Sequence, residues 1–243
     1  MEAKGSEAMA ERMLGILGGM GPLAGAQFLL RMTLLTPAER DQDHVPAVLW
    51  SDPRIPDRTQ ARLHGGEDPL PGLLRGIRGL EAAGCGAIAI PCNTAHGWYE
   101  PMRAATSLPI LHIVDAAAHD LRRQGLSGAR VGLLATAGTL AMRLYQERFD
   151  TLGHEVITPD EAQMRDKVGP GIALVKANRV TEAYAPLAEV AGSLIARGAE
   201  AVVLGCTEIP LGIQAGPVLP FPVVDTIDAL ARVSIAWARG EAG

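Results

Sequence analysis

The chain has 243 residues, of which 48% are hydrophobic, so it is long enough to bury a substantial core. Its net charge of −5 and its 4% of aromatic residues argue against a nucleic-acid surface, which would concentrate basic and aromatic side chains. The pattern of apolar residues predicts neither a membrane span nor a secretory signal. Three cysteines, an odd number, do not make a disulfide framework. We therefore expect a cytoplasmic protein that acts on a small molecule.

The predicted elements of the first half alternate between strands and helices. We expect residues 1–12 to form a mobile tail, because they are polar and lack periodicity. A first strand from Met13 runs into a glycine-rich turn at 18–22. The elements predicted after this turn are a helix at 23–35, a strand at 45–50, a charged loop at 51–59, a helix at 71–84, a strand ending near Pro91, a short helix at 101–106 and a strand at 109–114.

The second half repeats this alternation. Its predicted elements are a helix from Asp115, strands at 130–135 and 154–158, helices ending at 152, 177 and 197, a strand at 201–205, a short strand at 221–224 and a helix at 226–239. The pattern predicts an α/β fold with two similar lobes, each a mainly parallel sheet flanked by helices. We expect residues 13–114 plus 219–243 to form the first lobe and residues 115–218 the second, with the active site in the cleft between them.

One pattern occurs twice and organises the rest of the chain. Residues 87–96, AIAIPCNTAH, and residues 201–210, AVVLGCTEIP, each contain an apolar run that stops at a cysteine and small polar residues. A second pair of segments, 14–19 and 131–136, is related at a similar offset. This repetition indicates an internal duplication in which each lobe ends one strand in a cysteine. Because ligands of parallel sheets bind at the carboxyl ends of strands, Cys92 and Cys206 should face each other across the cleft.

Two opposed thiols are suited to proton transfer. A loop that leads into a helix lowers the pKa of a cysteine, which favours the reactive thiolate at Cys92 and Cys206. Asn93, Thr94 and Thr207 lie beside them and could donate hydrogen bonds to a carboxylate. Cys85 has Ala199 at the equivalent position, and a single buried cysteine is usually a small hydrophobic residue, so we predict no role for it in the chemistry.

Several segments together make the chain resemble a known superfamily. They are GGMGP at 18–22, IPDRT at 55–59, PCNTAH at 91–96, ATAGT at 135–139 and LGCTEIP at 204–210. Spread over nearly the whole chain beyond residue 12, they resemble the aspartate/glutamate racemase superfamily. Glutamate racemases carry an Asp-Ser-Gly turn at the first strand and a histidine after the second Cys-Thr. This chain has Gly18-Gly19-Met20 and Glu208 instead, so it is more similar to the cofactor-independent aspartate racemases.

The resemblance implies racemisation of an amino acid without pyridoxal phosphate, metal or any other cofactor. One thiolate would remove the α-proton while the other thiol protonates the opposite face. It also implies a homodimer, and it makes Arg58 and Lys176 the contacts of the substrate's side-chain carboxylate. The other expected substrate contacts are Met20, Asn93, Thr94, Thr136, Thr139, Thr207 and Glu208. Whether the substrate is aspartate, glutamate or a broader set of amino acids stays open, because the shape of the pocket selects side-chain length and the sequence does not give that shape.

Several of these residues also have a purely structural interpretation. Arg58 could brace its own loop, and Lys176 could be a solvated helix residue, which is the usual place for lysine. Thr136 and Thr139 could cap a helix. Glu208 could do the same near a helix start, or it could assist Cys206.

Other functions are weaker alternatives. Gly19, Gly21 and Ala24 fit the dinucleotide-binding fingerprint, with Glu39 or Asp41 at the distance of a ribose contact, so a dehydrogenase is one of them. Pro22 in the turn and the unexplained twin cysteines argue against it.

Three further alternatives remain. Cys92 and His96 could ligate a metal, but two ligands without a third are weak evidence, so we expect no metal site and a packing role for His96. An amino-acid sensor built on the same lobes would not need both thiols. Decarboxylases and isomerases of the superfamily commonly use a single cysteine.

Overall fold

The computed structural model describes residues 12–241. The predicted mobile tail falls on residues 1–12, of which 1–11 lie outside the described residues. Arg12 is described, and its Nη1 donates a hydrogen bond to the carbonyl of Trp237 at 2.8 Å. Every helix within residues 12–241 is too short or too polar to cross a membrane.

The first half of the chain builds a parallel sheet of four strands in the order β2-β1-β3-β4. Its strands are β1 (Leu14–Gly18), β2 (Ala47–Ser51), β3 (Ala87–Ala89) and β4 (Ile110–Leu111). Its helices are α1 (Pro22–Leu35), α2 (Arg58–Leu63), α3 (Leu70–Ala82) and α4 (Tyr99–Ala104), with 3-10 turns at Asp41–Asp43 and Thr94–Trp98. Both β1 and β3 are completely buried, as expected for inner strands covered on both faces.

The second half builds an equivalent parallel sheet in the order β6-β5-β7-β8. Its strands are β5 (Arg130–Ala135), β6 (Glu155–Ile157), β7 (Ala201–Gly205) and β8 (Val223–Asp225). The helices from here to the C-terminus are α5 (Ile113–Arg123), α6 (Ala137–Ala141), α7 (Leu144–Asp150), α8 (Glu161–Gln163), α9 (Gly169–Lys176), α10 (Val180–Ala196), α11 (Ile209–Gln214) and α12 (Thr226–Arg239), with a π turn at Met164–Val168. The matching strand orders confirm the predicted pair of similar α/β lobes.

The last strand differs from its predicted position. We expected residues 219–243 in the first lobe, but β8 pairs in parallel with β7 and is therefore an edge strand of the second sheet. The helix that follows, α12, packs against both α1 and α5. Arg31 of α1 and Asp228 of α12 form a bidentate ion pair with N–O distances of 2.6 and 2.7 Å. Thus the strand belongs to the second sheet, and the helix after it joins the two halves.

A shared hydrophobic core holds the two sheets together. Buried side chains of β1 and β5, such as Leu14 and Val131, belong to one cluster with Phe28, Tyr145 and Leu230 of the surrounding helices. A second cluster lies on the outer face of the second sheet and a third on that of the first sheet. Because such cores are close-packed, the ends of β3 and β7 are held in a fixed relation to one another.

Two local predictions need correction. The strand predicted at 109–114 ends at Leu111, because the His112 side chain accepts a hydrogen bond from the Val114 backbone N–H and starts α5 before Asp115. The loop predicted at 51–59 also ends early. Asp57 accepts a hydrogen bond from the Gln60 N–H at 2.9 Å, and this cap begins a short helix at Arg58.

Candidate active site

The two cysteines follow equivalent inner strands and line one cavity. Cys206 comes directly after β7, and Cys92 comes three residues after the end of β3. Their exposed fractions are 3% and 4%. The hydroxyl of Thr207 donates to the carbonyl of Pro91 at 3.2 Å, so the loops that carry the two thiols contact each other directly. Internal duplication therefore places one buried thiol from each half in the lining of the same small cavity.

Cys206 has a carboxylate as its partner. Its thiol donates a hydrogen bond to Oε2 of Glu208 at 3.1 Å, and Oε1 of Glu208 accepts a hydrogen bond from the backbone N–H of Gly21 at 3.1 Å. Glu208 is only 5% exposed. Burial raises the pKa of the Cys206 thiol well above its usual value, and the charge and hydrogen bond of Glu208 raise it further. The resting state of Cys206 is consequently the protonated thiol, so the lowered pKa that we expected for Cys206 from its place before a helix is wrong.

The surroundings of Cys92 differ. Within the described part of the chain, its thiol has no carboxylate hydrogen-bonded to it as Cys206 has. Its backbone carbonyl accepts a hydrogen bond from Nδ1 of His96 at 3.0 Å, while Nε2 of His96 accepts one from the Ile113 N–H at 3.3 Å. Burial lowers the pKa of His96 to about 4, so the ring is neutral. His96 thus braces the Cys92 loop, and both of its nitrogens are engaged.

Three threonines join the halves beside the thiols. Oγ1 of Thr94 lies 2.9 Å from Oγ1 of Thr136 and 3.0 Å from Oγ1 of Thr139. Thr136 also caps α6, because its Oγ1 accepts a hydrogen bond from the Thr139 N–H at 3.1 Å. Thr94 and Thr136 line the cavity, whereas Thr139 is fully buried outside its lining. Capping and a place at the cavity are therefore compatible for Thr136.

Arg58 lines the cavity with a guanidinium that is already oriented by the backbone. Its Nη1 donates to the carbonyls of Ile55 and Pro56 at 3.3 and 3.0 Å, and its Nη2 donates to the carbonyl of Met20 at 2.9 Å. Arg58 is 8% exposed, and its buried Nε has no acceptor among the residues that the structure describes. A buried donor without a partner is costly, so a ligand oxygen at Nε would remove that cost. Met20 enters the site through its carbonyl, which holds Arg58.

Lys176 closes the cavity from the second half. It is the last residue of α9, and its Nζ lies 3.8 Å from Oδ2 of Asp57 in the first half. The side chains of Lys176 and Asp57 are 42% and 44% exposed. An ion pair this exposed stabilises the fold by at most about 1 kcal/mol. It is therefore weak enough to open for a ligand.

Asn93 lines the cavity, and its side-chain amide joins the two halves of the molecule. Its Nδ2 donates to the hydroxyl of Thr226 at 3.2 Å, and its Oδ1 accepts from the hydroxyl of Tyr145 at 2.5 Å. Thr226 in turn donates to the carbonyl of Leu204 at 2.8 Å. The Asn93 amide thus ties the Cys92 loop to the second half, and its two polar atoms are occupied by protein partners.

Three residues of the site were missed from sequence. Tyr145 and Thr226 lie far from either cysteine along the chain and carry no local signal. Asp57 stands inside the quoted segment IPDRT, directly before Arg58, so its position was the available signal. Cys85 lies at the opposite end of β3 from Cys92, in the hydrophobic cluster of the first sheet.

The structure also bears on the dinucleotide and metal alternatives. Glu39 and Asp41 precede β2, whereas a ribose-binding carboxylate follows the second strand of a dinucleotide fold. The Gly21 N–H donates to Glu208, a protein carboxylate, rather than standing free for phosphate. Within residues 12–241, no group of three His, Cys, Asp or Glu side chains is placed to hold a metal ion.

Comparisons with known proteins agree with this architecture. The family model for Asp/Glu/Hydantoin racemases matches residues 17–233. The aspartate racemase of Picrophilus torridus is 32% identical, with a TM-score of 0.82 and 95% of both chains covered. The broad specificity amino-acid racemase RacX of Bacillus subtilis is 27% identical over 231 residues, which cover 92% of this chain and 97% of RacX. The glutamate racemase of Francisella tularensis shares the fold, with 16% identity, a TM-score of 0.69, and 95% and 82% of the two chains covered.

Proposed function

Because the chain belongs to the Asp/Glu/Hydantoin racemase family, and is an amino-acid racemase, we propose that it interconverts L- and D-aspartate with Cys92 and Cys206 as the two bases. The observation that carries this proposal is the pair of buried thiols, one from each duplicated half, on a single cavity. Two cations, Arg58 and Lys176, line the same cavity and match the two carboxylates of aspartate.

The proposed chemistry needs one thiolate and one thiol at the start. The Cys92 thiolate takes the α-proton and becomes a thiol, and the electron pair of the broken C–H bond stays on the α-carbon. The Cys206 thiol then gives its proton to the opposite face of that carbon and becomes a thiolate. The raised pKa of Cys206 supports the donor role in this direction. The other enantiomer uses the same steps in reverse, so no cofactor takes part.

The polar groups around the thiols support the binding of a dicarboxylate. Nε of Arg58 is a buried donor that lacks an acceptor within residues 12–241, and Lys176 carries a partly exposed ammonium. A charge-assisted hydrogen bond to each would hold the two carboxylates and fix the α-carbon between the thiols. The hydroxyls of Thr94 and Thr136 lie beside that position and can donate to the same oxygens.

A broader specificity is the second candidate. A cavity of ≈ 840 Å³ adjoins the site at Thr136 and Lys176, and apolar side chains such as Leu63, Leu140 and Ile172 line much of it. It could take longer or apolar substrate side chains. This observation, together with the similarity to RacX, supports the second candidate.

One experiment tests the function and separates these candidates. Purified protein is dialysed against a chelator and then incubated with L-aspartate, L-glutamate and a series of neutral amino acids, while circular dichroism follows the loss of optical activity. We expect racemisation of aspartate without any addition. Activity that returns only with pyridoxal phosphate, a metal ion or a nucleotide would contradict the mechanism, and equal rates on neutral amino acids would favour the second candidate.

We also propose a cytoplasmic homodimer. The three cysteines are free, and catalytic thiols are best preserved in a reducing compartment. On α1, the side chains of Leu23, Leu30 and Leu34 are 42%, 50% and 63% exposed, an apolar surface that a second copy could cover. Light scattering after size-exclusion chromatography should give twice the monomer mass, and Leu30→Glu should give the monomer. A monomeric parent protein would contradict the dimer.

A further inference from the structure

The Asp57–Lys176 ion pair stands at the junction of three cavities. The cavity between the thiols has a volume of ≈ 20 Å³, which is room for about one water molecule and not for an amino acid. Cavities of ≈ 680 and ≈ 840 Å³ lie beside it. Asp57 and Lys176 are the two side chains that line all three. Because the space between the thiols is too small for an amino acid, side chains around it must move when a substrate binds, and this pair borders both larger cavities as well.

The two partners differ in how firmly they are held. Asp57 is anchored, because it caps α2 by accepting a hydrogen bond from the Gln60 N–H. Burial opposes its charge, but the hydrogen bond from Gln60 and the charge of Lys176 outweigh burial and lower its pKa, so Asp57 is a carboxylate. Lys176 ends α9 and extends a flexible, half-exposed side chain. When the pair opens, Lys176 moves and the Asp57 carboxylate stays at the cavity.

We propose that Asp57 binds the substrate's α-ammonium group after an amino acid inserts between Asp57 and Lys176. The inference rests on the proposed racemase function. An amino acid is itself an ion pair, so it can replace one contact with two: its ammonium takes the place of Lys176 beside Asp57, and a carboxylate takes the place of Asp57 beside Lys176. Without such an exchange, opening the pair would leave the Asp57 carboxylate facing the substrate's carboxylates without a cation.

The charges of the cavity favour this assignment. The lining carries two cations, Arg58 and Lys176, and two carboxylates, Asp57 and Glu208. Glu208 already accepts hydrogen bonds from Cys206 and Gly21. Oδ1 of Asp57 accepts a hydrogen bond from the Gln60 N–H, whereas Oδ2 lies 3.8 Å from Nζ of Lys176, which is longer than a hydrogen bond. Oδ2 of Asp57 is thus the carboxylate oxygen at the site that can take an ammonium group at full hydrogen-bond distance.

The test compares Asp57→Asn with the parent protein in titration calorimetry, using L-aspartate and succinate, which is aspartate without its amino group. Asparagine is as good a helix cap as aspartate, so the fold should be kept. The loss of a charge-assisted hydrogen bond should raise the Kd of aspartate about 10- to 100-fold. Succinate should bind Asp57→Asn as tightly as the parent, or more tightly, because a repelling charge is gone.

Asp160→Asn is the matched control, since Asp160 also caps a helix through the Gln163 N–H and lies outside the lining of the three cavities. Its Kd values and its racemase activity should equal those of the parent.

Equal changes for aspartate and succinate in Asp57→Asn would overturn the ammonium contact. Tighter binding of both would mean that Asp57 only blocks Lys176. A parent protein that binds aspartate without racemising it would refute the proposed function, while the ratio of the two Kd values would still decide the role of Asp57. A parent that does not bind aspartate would overturn both.

Discussion

The two halves of the molecule place equivalent cysteines in unlike surroundings. Both thiols follow inner strands of sheets with the same strand order. Cys206 donates to the buried carboxylate of Glu208, whereas the Cys92 loop is braced through its carbonyl by the neutral His96. Duplication therefore explains why two thiols lie at one cavity, and the later divergence of their neighbours gives the two thiols unlike partners. In the proposed mechanism, the proton-donor and proton-acceptor roles therefore follow from the neighbours of each thiol and not from the strands.

Removal of either thiol should have the largest effect on racemase activity, because the proposed mechanism needs one thiol from each half. Cys92→Ser and Cys206→Ser should each lower kcat by about 10²- to 10⁴-fold or more, because serine is a far weaker acid and base at these positions. Cys85→Ser, the control, should stay within about twofold of the parent, since Cys85 packs in the hydrophobic cluster of the first sheet. Circular dichroism with L- and D-aspartate measures all three.

Isotope exchange tests whether the two thiols act separately. In deuterium oxide, early product should carry deuterium at the α-carbon while unreacted substrate keeps its hydrogen, starting from either enantiomer. Product that retains the substrate's own hydrogen would indicate a single base and would contradict the two-thiol scheme. A single-cysteine variant that racemises at the parental rate would contradict it as well.

Arg58 should have the next largest effect, and it tests the site shared by both halves. Arg58→Lys keeps a positive charge but loses the planar donor set and its buried Nε. We expect kcat/KM for aspartate to fall about 10- to 100-fold, because a bidentate or Nε contact to carboxylate is lost. A neutral amino acid, if it is turned over, should lose less. Equal losses on aspartate and on a neutral amino acid would show that Arg58 does not hold the side-chain carboxylate, and that it braces its loop or holds the α-carboxylate instead.

Glu208→Gln should make the two thiols more alike. The substitution removes a negative charge beside Cys206 while burial remains, so the pKa of Cys206 should fall. The proposed reaction needs one thiol and one thiolate, so it should stop when rising pH ionises both. The alkaline limb of the pH profile of kcat/KM should therefore move to lower pH in Glu208→Gln. An unchanged limb would mean that Glu208 does not control the ionisation of Cys206.

Glu208→Gln also allows the difference between the two thiols to be measured from the KM values of L- and D-aspartate. L- and D-aspartate have equal free energy, so kcat/KM must be equal in both directions at every pH, and any inequality between the bases shows in KM and kcat separately. The enantiomer that needs the Cys206 thiolate should have the higher KM in the parent. In Glu208→Gln the ratio of the two KM values should approach one, and a ratio that stays at its parental value would argue against the donor role of the Cys206 thiol.

Much of this architecture could be predicted from the sequence, because buried parallel strands that end in a cysteine leave a local pattern that occurs twice. The sheet that β8 joins could not, since three apolar residues fit either sheet edge and only packing decides. The cap at Asp57 was hidden in a loop rich in proline and charge. The direction of the Asn93 amide depends on Tyr145 and Thr226, which are distant in sequence. Contacts between the halves are the part that local patterns do not encode.

The residues that directly follow the two cysteines also differ between the halves, and replacing one of them should have the smallest effect. Asn93 is held by Tyr145 and Thr226, whereas Thr207 reaches across to the carbonyl of Pro91. Thr207→Val keeps the shape and removes that hydrogen bond, so it should lower the free energy of unfolding by about 0.5–1.5 kcal/mol, the net contribution of one such bond, with a further cost from the unpaired carbonyl. Denaturant unfolding measures this loss. If the bond also sets the distance between the thiols, kcat should fall several-fold while KM for aspartate stays unchanged. A change in KM with an unchanged kcat would make Thr207 a substrate contact instead, which is the role predicted for it from sequence.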